Sequence, residues 1–136
     1  MKRLLENYQG KIQFVVKNYP YRYRDYSRMA AEAFLIAAGQ GKGWEMHELL
    51  LEKSPRLERK HLLQYAEQLK LDMKSFTADL DAKKHDAQIQ KEHDLALALD
   101  LYNTPTFFIN GRKVVGDRPY EYLKKIIDEE IENAKK

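Results

Sequence analysis

Protein chemistry usually starts from a thiolate, an imidazole beside an acid, or a hydroxyl beside a base. This chain has no cysteine, which excludes disulfides, thiolate attack and cysteine-ligated metals for the polypeptide. His47 has Glu45 and Glu48 near it, and His85 and His93 lie eight residues apart on one expected helix. Neither set gives two ligands three or four residues apart, the spacing that brings imidazoles to one helical face. They read as solvated or helix-packing histidines, and no metal or cofactor is expected. Ser27, Ser54 and Ser75 read as caps or loop residues, and no serine, histidine and acid form a readable triad. No catalytic residue is assigned.

The unusual local concentration is Arg22, Arg24 and Arg28 set among Tyr19, Tyr21, Tyr23 and Tyr26. Such a cluster can grip or stack on an acidic partner. A solvated loop whose tyrosines lie on neighbouring helices accounts for the same residues. The 24 Lys and Arg are spread along the chain and the net charge is only +3, so nucleic acid is not an expected partner. No apolar run approaches the roughly 20 residues that span a bilayer, and no membrane association is expected. The opening Met1-Lys-Arg-Leu-Leu-Glu-Asn-Tyr lacks the apolar stretch of a signal peptide. Taken as it stands, the chain is expected in the cytoplasm.

The elements that must position these residues follow from periodicity. With 136 residues, 43% of them hydrophobic, the chain is expected to be one domain with its own core. Lys2 to Tyr8 reads as a short helix ended by Gly10. Lys11 to Asn18 alternates as a strand, with Ile12, Phe14 and Val16 on one face. Helices are expected over Ser27–Ala38, capped by Asp25 or Ser27, and over Trp44–Glu52, burying Trp44, His47 or Met46, Leu50 and Leu51. Others follow over Arg59–Leu69, from Asp72 as cap to Leu80, and over Lys84–Leu101. Thr104 to Ile109, Asn110-Gly111 and Arg112 to Val115 form a hairpin signature. A last helix has Pro119 in its first turn and Tyr120, Leu123, Ile127 and Ile131 on one stripe. Strand, helical block, hairpin and helix make an α/β or α+β arrangement.

Tyr102-Asn103-Thr104-Pro105-Thr106-Phe107-Phe108-Ile109-Asn110-Gly111 closely resembles the cis-proline segment and hairpin of DsbA-type thiol-disulfide oxidoreductases and isomerases. Gly10-Lys11-Ile12, Tyr19-Pro20, Ala30-Ala31-Glu32-Ala33, Gly41 to Leu50 and Tyr120 to Glu130 resemble further parts of that family in order. The resemblance implies a thioredoxin-like fold, with residues 1–18 and 102–136 as the thioredoxin part and 19–101 as a helical insertion. It also implies that the first strand, the Cys-x-x-Cys and most of the active-site helix are absent, as in an N-terminally truncated relative. Tyr19-Pro20-Tyr21-Arg22 has the outline of a Cys-Pro-Tyr-Cys, but it follows the strand instead of preceding it and is not a degenerate active site. The chain is therefore expected to be redox-inactive. Thr104 and Pro105 are the expected substrate-binding pair: a cis bond there exposes the Thr104 backbone to a peptide or protein. Family members are often periplasmic or exported, which applies if the natural N-terminus lies elsewhere.

In the family the missing strand lies between the one at Ile12 and the one at Phe107. Unpaired interior edges cost about 1–3 kcal/mol per buried group, so the slot must be closed. The Ile12 strand can pair directly with Phe107 to Ile109, a second copy can fill the slot, or a further segment belongs there. A homodimer through the first 20 residues is the expected assembly. A non-catalytic binding or subunit-interaction module of the same fold is the alternative to a redox lineage.

Overall fold

The helices arise where small and apolar residues recur at helical spacing, and the single hairpin arises where that spacing gives way to alternation. The computed structural model describes residues 1–136. Its elements are α1 (Lys2–Asn7), α2 (Ser27–Gly39), α3 (Gly43–Lys53), α4 (Arg59–Gln68), α5 (Met73–Asp81), α6 (Asp86–Ala98), β1 (Thr106–Ile109), β2 (Arg112–Val115) and α7 (Tyr120–Asn133). They fall into two compact units, Met1–Lys17 with Leu97–Lys136, and Asn18–Ala96.

In the helical unit, α2 buries Ala33, Ile36 and Ala37, and its small side chains let neighbours approach closely. A Cβ on Gly43, the first residue of α3, would lie 2.7 Å from the Ala38 Cβ, so that start tolerates no side chain. Met46 and Leu49 from α3, Leu62, Tyr65 and Ala66 from α4, and Phe76 and Leu80 from α5 complete the core. The Asp72 carboxylate accepts the Ser75 N–H at 2.9 Å as the α5 cap. Gln40 accepts the Asp72 N–H at 2.7 Å, tying the end of α2 to the start of α5. Two expectations fail here. The N-cap of α2 is Tyr26, with φ +62 and no side-chain cap, in place of Asp25 or Ser27. Leu51 is 68% exposed, because Met46, Leu49 and Leu50 define the inward face and Leu51 lies a further 100° round the helix.

In the other unit, β1 and β2 pair antiparallel with Phe107 opposite Val114 and Ile109 opposite Arg112. Asn110 (φ +48) and Gly111 (φ +88) make the turn, both in the left-handed region that a two-residue type I′ loop requires. Val114 packs with Leu123, Ile126 and Ile127 of α7 and with Leu4 and Tyr8, and Phe107, Ile109 and Ile12 lie against this cluster. The expected strand over Lys11–Asn18 does not form, since the sheet contains only β1 and β2. Nor does that segment pair with Phe107 to Ile109, so the closed three-stranded sheet is absent as well. A strand exists only through its ladder, and alternation at Ile12, Phe14 and Val16 supplies side chains but no partner. Val15 is accordingly 60% exposed. The helix expected over Lys84–Leu101 is shorter: α6 ends at Ala98, and Leu95, Leu97 and Leu99 are exposed.

Phe76→Ala should destabilise the helical unit by about 3–5 kcal/mol, since the ring is fully buried and leaves a cavity. Leu51→Ala should change stability by less than about 0.5 kcal/mol. Urea denaturation of both variants checks the pair.

Candidate functional site

Asp100, at φ +52, turns the chain out of the α6 region and into Leu101–Pro105. The Thr104–Pro105 peptide bond is cis, as is Ser54–Pro55. Both Thr104 and Pro105 are exposed. The Pro105 carbonyl accepts the Gly116 N–H at 2.8 Å, which ties the segment to the end of β2. The Thr106 hydroxyl donates to the Asn103 carbonyl at 2.6 Å. The expectation of an open Thr104 N–H is corrected: it donates to the Asn103 side-chain oxygen at 2.9 Å. An Asx side chain commonly takes a nearby backbone donor in this way, and Asn103 is exposed, so a ligand carbonyl can displace it.

The hairpin beside this segment has two unlike faces. Phe107, Ile109 and Val114 point to the core, which leaves Thr106, Phe108, Lys113 and Val115 on the opposite face by strand alternation. Phe108 is 43% exposed and Tyr102 is 75% exposed. The Lys113 ammonium donates to the carbonyls of Leu99 and Asp100, at 2.9 and 2.6 Å, and lies 5.8 Å from the Tyr102 ring centre. It thereby holds the approach to the segment in place. Because the two-residue loop makes Ile109 and Arg112 a hydrogen-bonded pair, antiparallel alternation turns the Thr106 and Phe108 backbone groups away from β2. They form an outer strand edge that no strand of the chain pairs.

A second polar cluster holds α1 to α7. The Tyr8 hydroxyl donates to Asp128 Oδ1 and Lys124 Nζ donates to Asp128 Oδ2, both at 2.5 Å. Burial, reinforced by the Asp128 bond, pushes the Tyr8 hydroxyl up to about 12. The Lys124 hydrogen bond, then that of Tyr8, holds the Asp128 carboxyl below its ordinary range. A phenol so firmly protonated is neither base nor nucleophile, and this cluster is a structural tie.

The histidines lie apart. His47 packs between Trp44 and Phe34, with ring centres 5.2 and 5.9 Å away, and burial lowers its pKa. His61, which no motif pointed to, bonds Glu58. His93 stacks on Tyr19 at 4.8 Å. No group of three or more His, Cys, Asp or Glu is placed to hold a metal. In the tyrosine–arginine stretch the rings of Tyr19, Tyr21 and Tyr23 contact one another in sequence. Arg28 is bound at 2.6 Å to Asp86.

The family described as Thioredoxin matches residues 1–129. The chain belongs to this thioredoxin family. It is similar to a thioredoxin-like oxidoreductase of Silicibacter pomeroyi of known structure, with a TM-score of 0.82 and 26% identity over 94% of this chain and 73% of that one. The probable disulfide bond formation protein D of Bacillus anthracis is 26% identical over 141 residues, 96% of this chain and 64% of that protein. A protein named as the Na(+)/H(+) antiporter NhaA 3 of Salinispora tropica is 37% identical over 128 residues. That match takes in 93% of this chain, which spans only 20% of the antiporter's length. The fold is therefore thioredoxin-like α/β, rich in helix, with a two-stranded sheet. No helix is long and apolar enough to cross a membrane.

Tyr8 links folding to alkaline pH. Its folded pKa lies above the ordinary 10, so its contribution is complete below pH about 10 and is lost as pH rises towards 12. Tyr8→Phe should cost about 1 kcal/mol at neutral pH and flatten the loss of stability over that window. Denaturation midpoints from pH 8 to 12 read both effects, and an unchanged slope in the variant would refute the assignment.

Proposed function

We propose that this chain is a redox-inactive module of the thioredoxin family that binds an extended polypeptide along the outer edge of β1, beside Thr104 and Pro105. One observation carries the reading: in a chain without any thiol, the sheet stops at β1, with the apolar rings of Phe108 and Tyr102 exposed beside that edge. Thiol-disulfide exchange needs a thiolate to attack a sulfur, and none exists here. Strand addition needs only outward backbone groups for affinity and side chains on alternating faces for selectivity, and Thr106 to Phe108 supply both. The likeness to disulfide bond formation protein D and to a thioredoxin-like oxidoreductase is consistent with a redox ancestry. The likeness to a fifth of an antiporter is consistent with the same segment serving as part of a longer protein.

The test uses the oxidised B chain of insulin as an extended probe. It should slow amide exchange at Thr106 and Phe108, and Phe108→Asp should weaken its binding by about tenfold or more, the loss of one apolar contact and the gain of a charge. B chain that binds without protecting those amides, or fails to bind, removes the reading. In a standard insulin-reduction assay the purified chain should give no turnover above background, and turnover with contaminants excluded would overturn redox inactivity.

A second copy of the chain is the polypeptide we favour for this edge, through the first 20 residues, where Phe14 and Val15 are exposed. An obligate dimer interface of this kind buries more than about 1,000 Å². Light scattering over a dilution series should give twice the chain mass. A folded monomer at high concentration would leave only foreign polypeptides as occupants.

A further inference from the structure

The helical unit contains a cavity of about 560 Å³ between the tyrosine–arginine stretch, α2, α6 and the end of α5. That volume lies within the range of small-ligand sites. Its wall divides by chemistry. Pro20, Met29 and Leu80 are apolar, and Tyr21 and Tyr26 supply rings. Tyr19, Tyr21 and Tyr23 contact one another in sequence, but Tyr26 stands outside that ladder and is 47% exposed. It is held at φ +62, a conformation that bulky residues avoid and that persists only where the surroundings fix it. An aromatic side chain with no ring partner thus stands at the cavity.

The charges at the cavity are unbalanced. The helical unit as a whole has as many acidic as basic residues. In the cavity wall, Arg28 and Asp86 are bound to each other at 2.6 Å. Glu32 also belongs to the wall, but its carboxylate is turned inward: Oε2 accepts the His85 N–H and Oε1 is sealed from solvent. That leaves Arg22, Arg24 and Lys83, all exposed and none in an ion pair, with no accessible acid of the wall to neutralise them. Three such cations exceed what one carboxylate needs and suit a phosphate ester, which carries close to two negative charges at neutral pH. Inorganic phosphate would leave the apolar wall and the Tyr26 ring uncovered. We propose that this cavity binds a nucleoside monophosphate, its phosphate held by Arg22, Arg24 and Lys83 and its base lying against Tyr26. Base–aromatic stacking of this kind tolerates any base, since every base has a flat face. This site lies wholly in the helical unit and is independent of the strand edge of β1.

The experiment titrates the ¹⁵N-labelled full chain with adenosine 5′-monophosphate, whose purine offers a large ring to Tyr26. Adenosine, ribose 5-phosphate and O-phosphotyrosine are titrated in parallel. The nucleotide should shift the Tyr26 and Lys83 amide resonances saturably. Adenosine lacks the phosphate and ribose 5-phosphate lacks the base, and each should bind about tenfold more weakly or worse. Tyr26→Asn removes the ring at a backbone conformation that asparagine tolerates, and should bring the nucleotide down to the affinity of ribose 5-phosphate. Arg22→Gln, at an exposed position with no role in the core, should weaken the nucleotide by about tenfold and leave adenosine unchanged. No saturable shift up to about 10 mM, either fragment binding as tightly as the nucleotide, or O-phosphotyrosine binding more tightly than it would each overturn the proposal. The first leaves the cavity to water, the second reduces the site to loose surface contacts, and the third points to a phosphopeptide. The comparison of ligands needs no variant, so it decides the question even should a substitution unfold the chain.

Discussion

A hairpin of two four-residue strands cannot cover its own faces, and the first unit of this protein depends on how one of them is covered. Isolated hairpins are marginal in water. Here Phe107, Ile109 and Val114 are closed over by Leu123, Ile126 and Ile127 of α7 and by Leu4 of α1. Burying each such side chain fully contributes about 1.5–3 kcal/mol, far more than the exposed ion pairs beside it. Six-residue α1 is also too short to persist by itself, and it stays because Leu4 and Tyr8 join the same cluster. The Tyr8–Asp128–Lys124 tie sets the register of α1 on α7, and the apolar stripe supplies the energy.

Covering one face leaves the other open, and the two units answer that constraint differently. In the helical unit, Ala33, Ala37 and Gly43 bring helices close enough to enclose Phe76 and Met46 on all sides. Polar groups inside it are correspondingly exacting. Glu92 is buried and accepts both the backbone N–H and the side-chain amide of Asn18, at 2.7 and 2.9 Å. Glu32 is buried as deeply and accepts a single bond, from His85. Its carboxyl is accordingly raised above the ordinary range, chiefly by burial. The contrast between two buried glutamates in one unit separates a structural carboxylate from one that still lacks a partner.

Much of this was legible in the residues because it is decided locally. Asn110-Gly111 specifies its turn wherever it occurs between strands, Asp72 reaches an N–H three residues on, and the α7 stripe needs only its own period. What stayed hidden is decided by something distant. Lys11 to Asn18 alternates as a strand should, yet no ladder reaches it, and alternation carries no information about a neighbour. Leu51 looks like core until the inward face of α3 is fixed by α2. The Thr104 N–H looked open because nothing in the composition shows that Asn103 will fold back on it. Glu32 did carry a signal, an acid alone within Met29-Ala30-Ala31-Glu32-Ala33-Phe34, among residues that otherwise read as core. His93 carried none, since its stacking on Tyr19 joins residues 74 positions apart.

On the proposed reading, the absence of a thiol from this chain changes what a thioredoxin-like scaffold has to do. In exchange chemistry a groove holds substrate against a reactive sulfur, and its affinity must stay weak enough for release after each transfer. A polypeptide without a thiol has no such turnover of its own to protect, so on that reading an edge such as that of β1 would hold a partner for as long as its contacts last. Tyr102, Phe108, Val15 and Leu99 are all exposed in this one unit, and exposed apolar side chains carry a solvation cost that a passing substrate would relieve only briefly. A lasting partner relieves it continuously. The same surface that would be a liability on a catalyst therefore suits the binding module we propose.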